Sequence, residues 1–458
     1  MAACDENHRA LRARAAAGQG LPATEAGMPD PAGTGLSRRS FVLRSAGLAL
    51  SVYGAGKLGL VAPGVAQASA GPADAVIVQV YLEGGIDSVQ VLAPTEDALY
   101  RKLRPSLALP PGSGTAFGED DRLRWHPSAA PLARLHAEGK VCVMPAVGYD
   151  HPDQSHVVSR HFYEVGALNP GLQTGWMGRY LDRVGSADNP LQGLSLDGAL
   201  APALATASKP VAAVDSPGAF DFWARDVWGD VDDLMLDAFG KLGAAHAGSA
   251  DAALRQAAAG AVQAASVRHQ LEPFAPAKDD HSDAPSFTSP VTYPKSDDDF
   301  PTRMAGLAAM LAAGLPLTCV AITAPGSYDT HSGEQGVMDE ALALTCDTLE
   351  AFQRDLEARG LADRVVIHVW SEFGRRAEEN GGGTDHGAAG LGLLIGTRVT
   401  GRMVGEFPGL ARLDADGNLV ATSDFRGVFA GLLEQWLATD AGAVLPDVGR
   451  IARPALIR

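Results

Sequence analysis

Covalent crosslinks have little to work with in this chain. It has four cysteines in 458 residues, and none has the spacing of a zinc motif. Cys4 lies in an N-terminal segment that reads as removable. The remaining Cys142, Cys319 and Cys346 are odd in number, which excludes complete internal pairing. Cys142 and Cys319 sit in apolar runs, where a cysteine behaves as a small buried hydrophobe. Cations are also scarce. Lys and Arg total 37 against 54 Asp and Glu, a formal charge of −17 and a pI near 5.1. That balance argues against the basic face of a nucleic-acid binder. Beyond the first 70 residues no apolar run is long enough to span a membrane, and no internal repeat is present.

What is present suits a soluble globular protein of one large or two smaller domains, with 46% hydrophobic and 20% charged residues. The N-terminus reads as a targeting segment. An Ala/Gly/Pro-rich stretch leads to Ser37-Arg38-Arg39-Ser40-Phe41-Val42-Leu43, then a weakly apolar region ending in Ala68-Ser69-Ala70. Paired arginines, a modest apolar region and an A-x-A end predict a twin-arginine export signal over residues 1–70. The expected location is periplasmic or extracellular. The export machinery would be one partner, and it carries folded proteins, so a metal could be loaded beforehand. Residues 71–458 are expected to form one domain, with an irregular Pro/Ser/Asp-rich surface excursion, partly mobile, around 273–299.

Buried strands are expected at 75–82, 140–147, 317–323, 364–370 and 391–395, where β-branched residues cluster. Helical spacing appears at 128–139, 302–314, 335–359 and 424–438, the last with Asp424 as N-cap. Strand, loop and helix alternate, which predicts an α/β fold with a mostly parallel sheet.

Four strand ends run into polar loops. Asp87 and Ser88 follow the first, Asp150 to His156 the second, Asp329 and His331 the third. Glu372, then Asp385 and His386, follow the fourth. In a parallel sheet these loops share one edge. Carboxylates with imidazoles suit Zn, Mn or Fe; with fewer histidines, Mg or Ca. The candidate metal ligands are Asp87, Asp329, His331, Glu372, Asp385 and His386, enough for one or two divalent ions. Ser155 opens a helix and is the candidate nucleophile, with the adjacent His156 and with Arg375 as catalytic partners; Arg160, Arg375 and Arg376 could receive an anionic group. Structural alternatives stand beside each role. Asp87 could stabilise its Gly-Gly turn, Ser155 could be a plain N-cap, Glu372 a helix cap, and Arg375 and Arg376 a solvated face.

The signal, the strand ending GGIDS, and the segments GYDHPDQSH, TGWMGRYLD, SYDTHSGEQ, SEFGRRAEENGGGTDHG and DFRGVF together resemble the bacterial domain-of-unknown-function family 1501. The resemblance implies a distant branch of the alkaline phosphatase and sulfatase superfamily. The implied fold is an alkaline phosphatase-like three-layer αβα sandwich with metals at the carboxyl edge. It implies that Asp87 is the first metal aspartate, Ser155 the nucleophile, Asp329 and His331 a metal pair, and His386 the last metal histidine. Glu372 would match the position of a metal aspartate. The chain departs from that superfamily at Phe373, where many members carry His or Asn, in the close spacing of Asp329 and His331, and in having no Cys-x-Pro-x-Arg signature.

Two functions follow as expectations. One is an exported metal-dependent hydrolase acting on a phosphate or sulfate ester, its substrate an anionic small molecule or glycan. The other is a non-catalytic exported protein of the same fold that binds a cell-envelope glycan or protein partner.

Overall fold

The structure is a computed structural model that describes residues 52–53, 74–215, 230–274 and 287–458. The expected export signal lies outside the described residues, apart from Val52 and Tyr53. Nine strands form the central sheet. They are β1 (Val52–Tyr53), β2 (Val76–Tyr81), β3 (Val141–Gly148), β4 (Gly193–Ser195), β5 (Val211–Ala213), β6 (Cys319–Thr323), β7 (Val365–Trp370), β8 (Gly390–Ile395) and β9 (Ser423–Asp424). Their order is β1-β5-β4-β6-β2-β7-β8-β3-β9. Only β1 and β8 run against the others.

The sheet is mostly parallel because its strands are buried on both faces, which the continuous apolar runs foreshadow. β2 and β7 pair in register from Val76 opposite Val365 to Tyr81 opposite Trp370. Side chains alternate across β2: Val76, Val78 and Val80 enter one core, Ile77 and Tyr81 the other. Helices close both faces. Those of nine residues or more are, in chain order, α1 (His156–Val165), α2 (Trp176–Val184), α3 (Asp230–His246), α4 (Ala252–Leu271), α5 (Phe300–Ala312), α6 (Glu334–Ala358) and α7 (Phe425–Gln435), and a shorter helix, Ala130–Ala137, stands where helical spacing was expected at 128–139. Met304 and Leu307 of α5, with Leu342, Leu349 and Phe352 of α6, fill the first core. Trp176 of α2, with Phe425 and Phe429 of α7, fills the second. Burying each such side chain stabilises the fold by roughly 1.5–3 kcal/mol.

The helix boundaries follow local chemistry. Asp424 caps α7 by accepting from Arg426 N at 2.8 Å. α1 stops at Gly166, whose φ of 64° suits a residue without Cβ. Among the described residues no helix is long and apolar enough to cross a membrane. Cys142, Cys319 and Cys346 are buried and unpaired.

The excursion around 273–299 is irregular where it is described, with no helix or strand between Phe287 and Asp299. Residues 275–286 lie outside the described residues. Beyond them, Ser289 Oγ and Tyr293 Oη donate to Asp355 Oδ2 at 2.9 and 3.1 Å. A buried carboxylate needs donors, and this one fastens that part of the excursion to α6.

β2, β3, β6 and β7 all point the same way, so the loops that follow them emerge at one carboxyl edge. A two-stranded ribbon, Arg375–Glu379 with Thr384–His386, extends from that edge and sets Arg375 opposite His386.

Candidate metal centre

Two glycines begin the site. Gly84 and Gly85 turn the chain after β2 with φ of 107° and 82°, values open to glycine and costly for other residues. A Cβ on Gly84 would lie 2.3 Å from Asp329 N, so glycine lets this loop close against the one after β6. Their N–H groups meet the Glu372 carboxylate, Gly84 N at 3.0 Å from Oε1 and Gly85 N at 3.2 Å from Oε2.

Asp329 Oδ1 is the hub of what these loops assemble. It lies 3.4 Å from His156 Nε2, 3.1 Å from His331 Nε2 and 3.2 Å from His386 Nε2. His386 Nε2 is in turn 2.9 Å from His156 Nε2 and 3.1 Å from His331 Nε2. The ligand atoms of His156, Asp329 and His386 all fall within 4.8 Å of one another. A tetrahedral zinc with bonds of about 2.0–2.1 Å spaces its ligand atoms about 3.3–3.4 Å apart. The trio therefore has the dimensions of one face of such a site, and His331 shares its Asp329–His386 edge.

The far side of each imidazole is fixed. His156 Nδ1 lies 2.8 Å from Glu372 Oε1, His331 Nδ1 3.1 Å from Asp385 Oδ1, and His386 Nδ1 2.7 Å from the Gln154 carbonyl. A carbonyl or carboxylate oxygen only accepts, so each Nδ1 carries the hydrogen. Each Nε2 is then left as a lone pair aimed at the others and at a carboxylate. That arrangement repels itself unless a cation sits among the donors. Nitrogen and oxygen donors backed by carboxylates and a carbonyl fit a divalent ion such as Zn, Mn or Fe.

Without a metal, a proton fills part of this role. Burial pulls the His156 pKa down, but the hydrogen bonds it donates to the Asp329 and Glu372 carboxylates, with their charges, outweigh it and raise the value to about 9. Asp329 goes the other way. Burial raises its pKa, and the three histidines with Arg375 hold it far below the ordinary carboxylate range.

The structure brings Asp329, His331 and His386 together and reassigns the other expected residues. His156, expected as a catalytic partner, has its Nε2 in the ligand cluster. Glu372, expected as a ligand, stands behind His156 and is spent on that ring, the two glycine amides and Ser371. Asp385, also expected as a ligand, stands behind His331 and accepts from Asn380 Nδ2 at 2.9 Å.

Asp87 is removed from the metal set. Its Oδ1 caps the short helix Ser88–Val91, accepting from Val89 N at 3.0 Å and Gln90 N at 3.2 Å. Both its oxygens meet the buried Arg104 guanidinium, the shorter contact being 2.5 Å. Burial raises its pKa, and Arg104 more than reverses the shift.

Arg375 is removed from the catalytic set. It is fully buried and donates to the carbonyls of Gly84, Gly85, Tyr328 and Thr384 and to Asp329 Oδ1. The guanidinium is committed to these groups, with at most one Nη1 hydrogen outside them, and its burial keeps it from an incoming substrate. Ser155, the expected nucleophile, caps α1, its Oγ accepting from Val158 N at 3.4 Å. Arg160 is held by Glu83 and Glu164 and lies over the Tyr81 ring. Phe373 is a wall of the site, with its ring centroid 4.9 Å from those of both His156 and His386.

Three contributors were missed from the sequence. Arg104 belongs to no motif in the sequence, and Gln154 acts through its backbone, which no side-chain pattern reveals. Glu334 fell just outside the helix expected at 335–359; it opens α6, is fully buried and accepts from Thr384 Oγ1 at 2.7 Å and Thr330 Oγ1 at 3.3 Å.

Comparison with known proteins adds a family. No curated protein matches the chain. A crystal structure of Ps i-CgsB in complex with k-i-k-neocarrahexaose aligns at 8% identity over 81% of this chain and 72% of that chain, with a TM-score of 0.31. That likeness is too slight to carry an argument. The profile of a family described as protein of unknown function (DUF1501) matches residues 155–427. The matched stretch holds all three residues of the ligand trio and the carboxylates behind His156 and His331. It covers more than half of the chain, which therefore belongs to the DUF1501 family.

Proposed function

We propose that this protein is an exported metal-dependent hydrolase of phosphate or sulfate esters, built on the alkaline phosphatase and sulfatase plan. The observation that carries the reading is the convergence of His156 Nε2, Asp329 Oδ1 and His386 Nε2, each imidazole fixed with its lone pair inward. A divalent cation held there would polarise an ester oxygen and make a water nucleophilic near neutral pH. Asp329 would supply one negative charge against the ion's two, leaving a net positive charge to draw an anionic ester. Glu372 holds the His156 ring, and Asp385 the His331 ring. Phe373 keeps water from one side of the histidines. Ser155 is occupied as a cap, so water is the nucleophile in this reading.

One observation favours a second reading. Phe373 fills a position that the superfamily often gives to a ligand. A non-catalytic exported protein with one structural ion, binding a cell-envelope glycan or partner, would tolerate that. Metal analysis of the purified chain, followed by a panel of phosphate and sulfate esters, separates the two. The hydrolase reading expects a divalent ion in the wild type, its loss in His386→Ala, and turnover of at least one ester class. Bound metal without turnover would favour the second reading. A metal-free, inactive wild type after incubation with zinc and manganese would overturn the first.

A further inference from the structure

We infer that Arg376, and not its neighbour Arg375, receives the tetrahedral oxyanion of a ligand at the metal centre. The inference rests on the hydrolase reading and names the residue that would read its substrate's charge. Each of the other arginines of this edge is already paired with a carboxylate. Arg375 donates to four carbonyls and Asp329, Arg104 to Asp87 and two carbonyls, Arg160 to two glutamates, and Arg426 to Asp424.

Arg376 is half-buried, and its Nε lies 3.4 Å from the carbonyl oxygen of the ligand residue His386. Among the described residues nothing accepts from its two terminal nitrogens, and it forms no ion pair. Asp385 and Asp414 are near enough for its charge to help lower their pKa values, but neither closes to a salt bridge.

The backbone that carries Arg376 is held in place from behind. Arg104 Nη2 donates to the Arg376 carbonyl at 2.8 Å, and Arg104 Nε to the Ala377 carbonyl at 2.9 Å. Arg104 is itself locked by Asp87. The buried pair thus fixes the ribbon backbone from which Arg376 projects. A second feature points the same way. The N-terminus of α1, which begins with the ligand His156, opens at this edge, and helix N-termini favour anions. A guanidinium fork with two open donors matches the paired oxygens of a phosphoryl or sulfuryl group.

The test is calorimetric titration of inorganic phosphate, and separately of sulfate, into the full chain loaded with zinc or manganese. Wild type is compared with Arg376→Gln and Arg376→Lys, with metal content measured in each. Removing a charged hydrogen bond is expected to weaken binding of the recognised anion about tenfold or more in Arg376→Gln. Arg376→Lys should retain part of the affinity, and metal content should be unchanged. The anion whose affinity falls more identifies the ester class. Equal affinity in wild type and Arg376→Gln, or no anion binding by metal-loaded wild type, overturns the assignment. If the wild type takes up no metal, the hydrolase reading fails. The same titration on the metal-free chain then decides Arg376 alone: a drop in Arg376→Gln supports it, and no drop overturns it.

Discussion

Glu372 Oε1 lies 2.8 Å from His156 Nδ1, on the side of the imidazole away from Asp329 and His386. The carboxylate orients a ligand and is not one itself. Such outer partners typically matter by 10–100-fold in metal affinity. Glu372→Gln should therefore weaken zinc binding by about that factor while the chain stays folded. Competition with a chromophoric chelator would measure it. An unchanged affinity would show that the pairing is incidental.

Asp87 leads to the opposite expectation. It is tied to Arg104 by a buried ion pair, and removing one partner of such a pair costs roughly 3–5 kcal/mol. Asp87→Ala should lower the urea midpoint strongly. At urea concentrations where the variant is still folded, it should bind the same amount of metal as the wild type. Loss of metal from a folded Asp87→Ala would restore Asp87 to the ligand set.

Glu334 makes stability depend on pH. Burial, then the neighbouring Asp87 charge, raises its pKa from 4.5 to about 9. Between those values the unfolded chain has released the proton and the folded chain keeps it. The stabilising contribution is thus whole below about pH 4.5 and is lost progressively as pH rises towards 9. Glu334→Gln keeps an uncharged group in place and should flatten that decline. Urea melts of both metal-loaded proteins between about pH 5 and pH 9 would show it. Parallel curves would contradict the assignment.

His156 couples metal uptake to protons. With its pKa raised to about 9 in the metal-free protein, a divalent ion must displace a proton to bind at neutral pH. Zinc affinity should rise from about pH 6 to pH 9, with proton release visible as a buffer-dependent heat in calorimetry. A pH-independent affinity would mean that the ion avoids His156.

The middle of the sheet was legible from the sequence because β2, β3, β6, β7 and β8 are continuous apolar runs, whereas β1, β4, β5 and β9 are two or three residues long and too short to show one. The convergence at one edge followed from parallel topology, so Asp329, His331 and His386 were readable as partners. Which carboxylate touches a metal and which touches a histidine was not readable. Glu372 and Asp329 both follow strands, and their difference lies in a turn at Gly84 and Gly85 that sends two amides to Glu372. The role of Asp87 depended on Arg104, 17 residues away in sequence and unmarked by any pattern. Arg375 and Arg376 are adjacent, and only the ribbon's register decides which one is buried.

The central claim is that one cation sits among His156, Asp329 and His386. Anomalous diffraction from crystals grown with zinc or manganese tests it most directly. The account predicts a peak at bonding distance, about 2.0–2.2 Å, from His156 Nε2, Asp329 Oδ1 and His386 Nε2, with Glu372 and Asp87 outside the first coordination sphere. A peak bonded to Asp87 or Glu372, or metal-soaked crystals with no peak among the three residues, would contradict it.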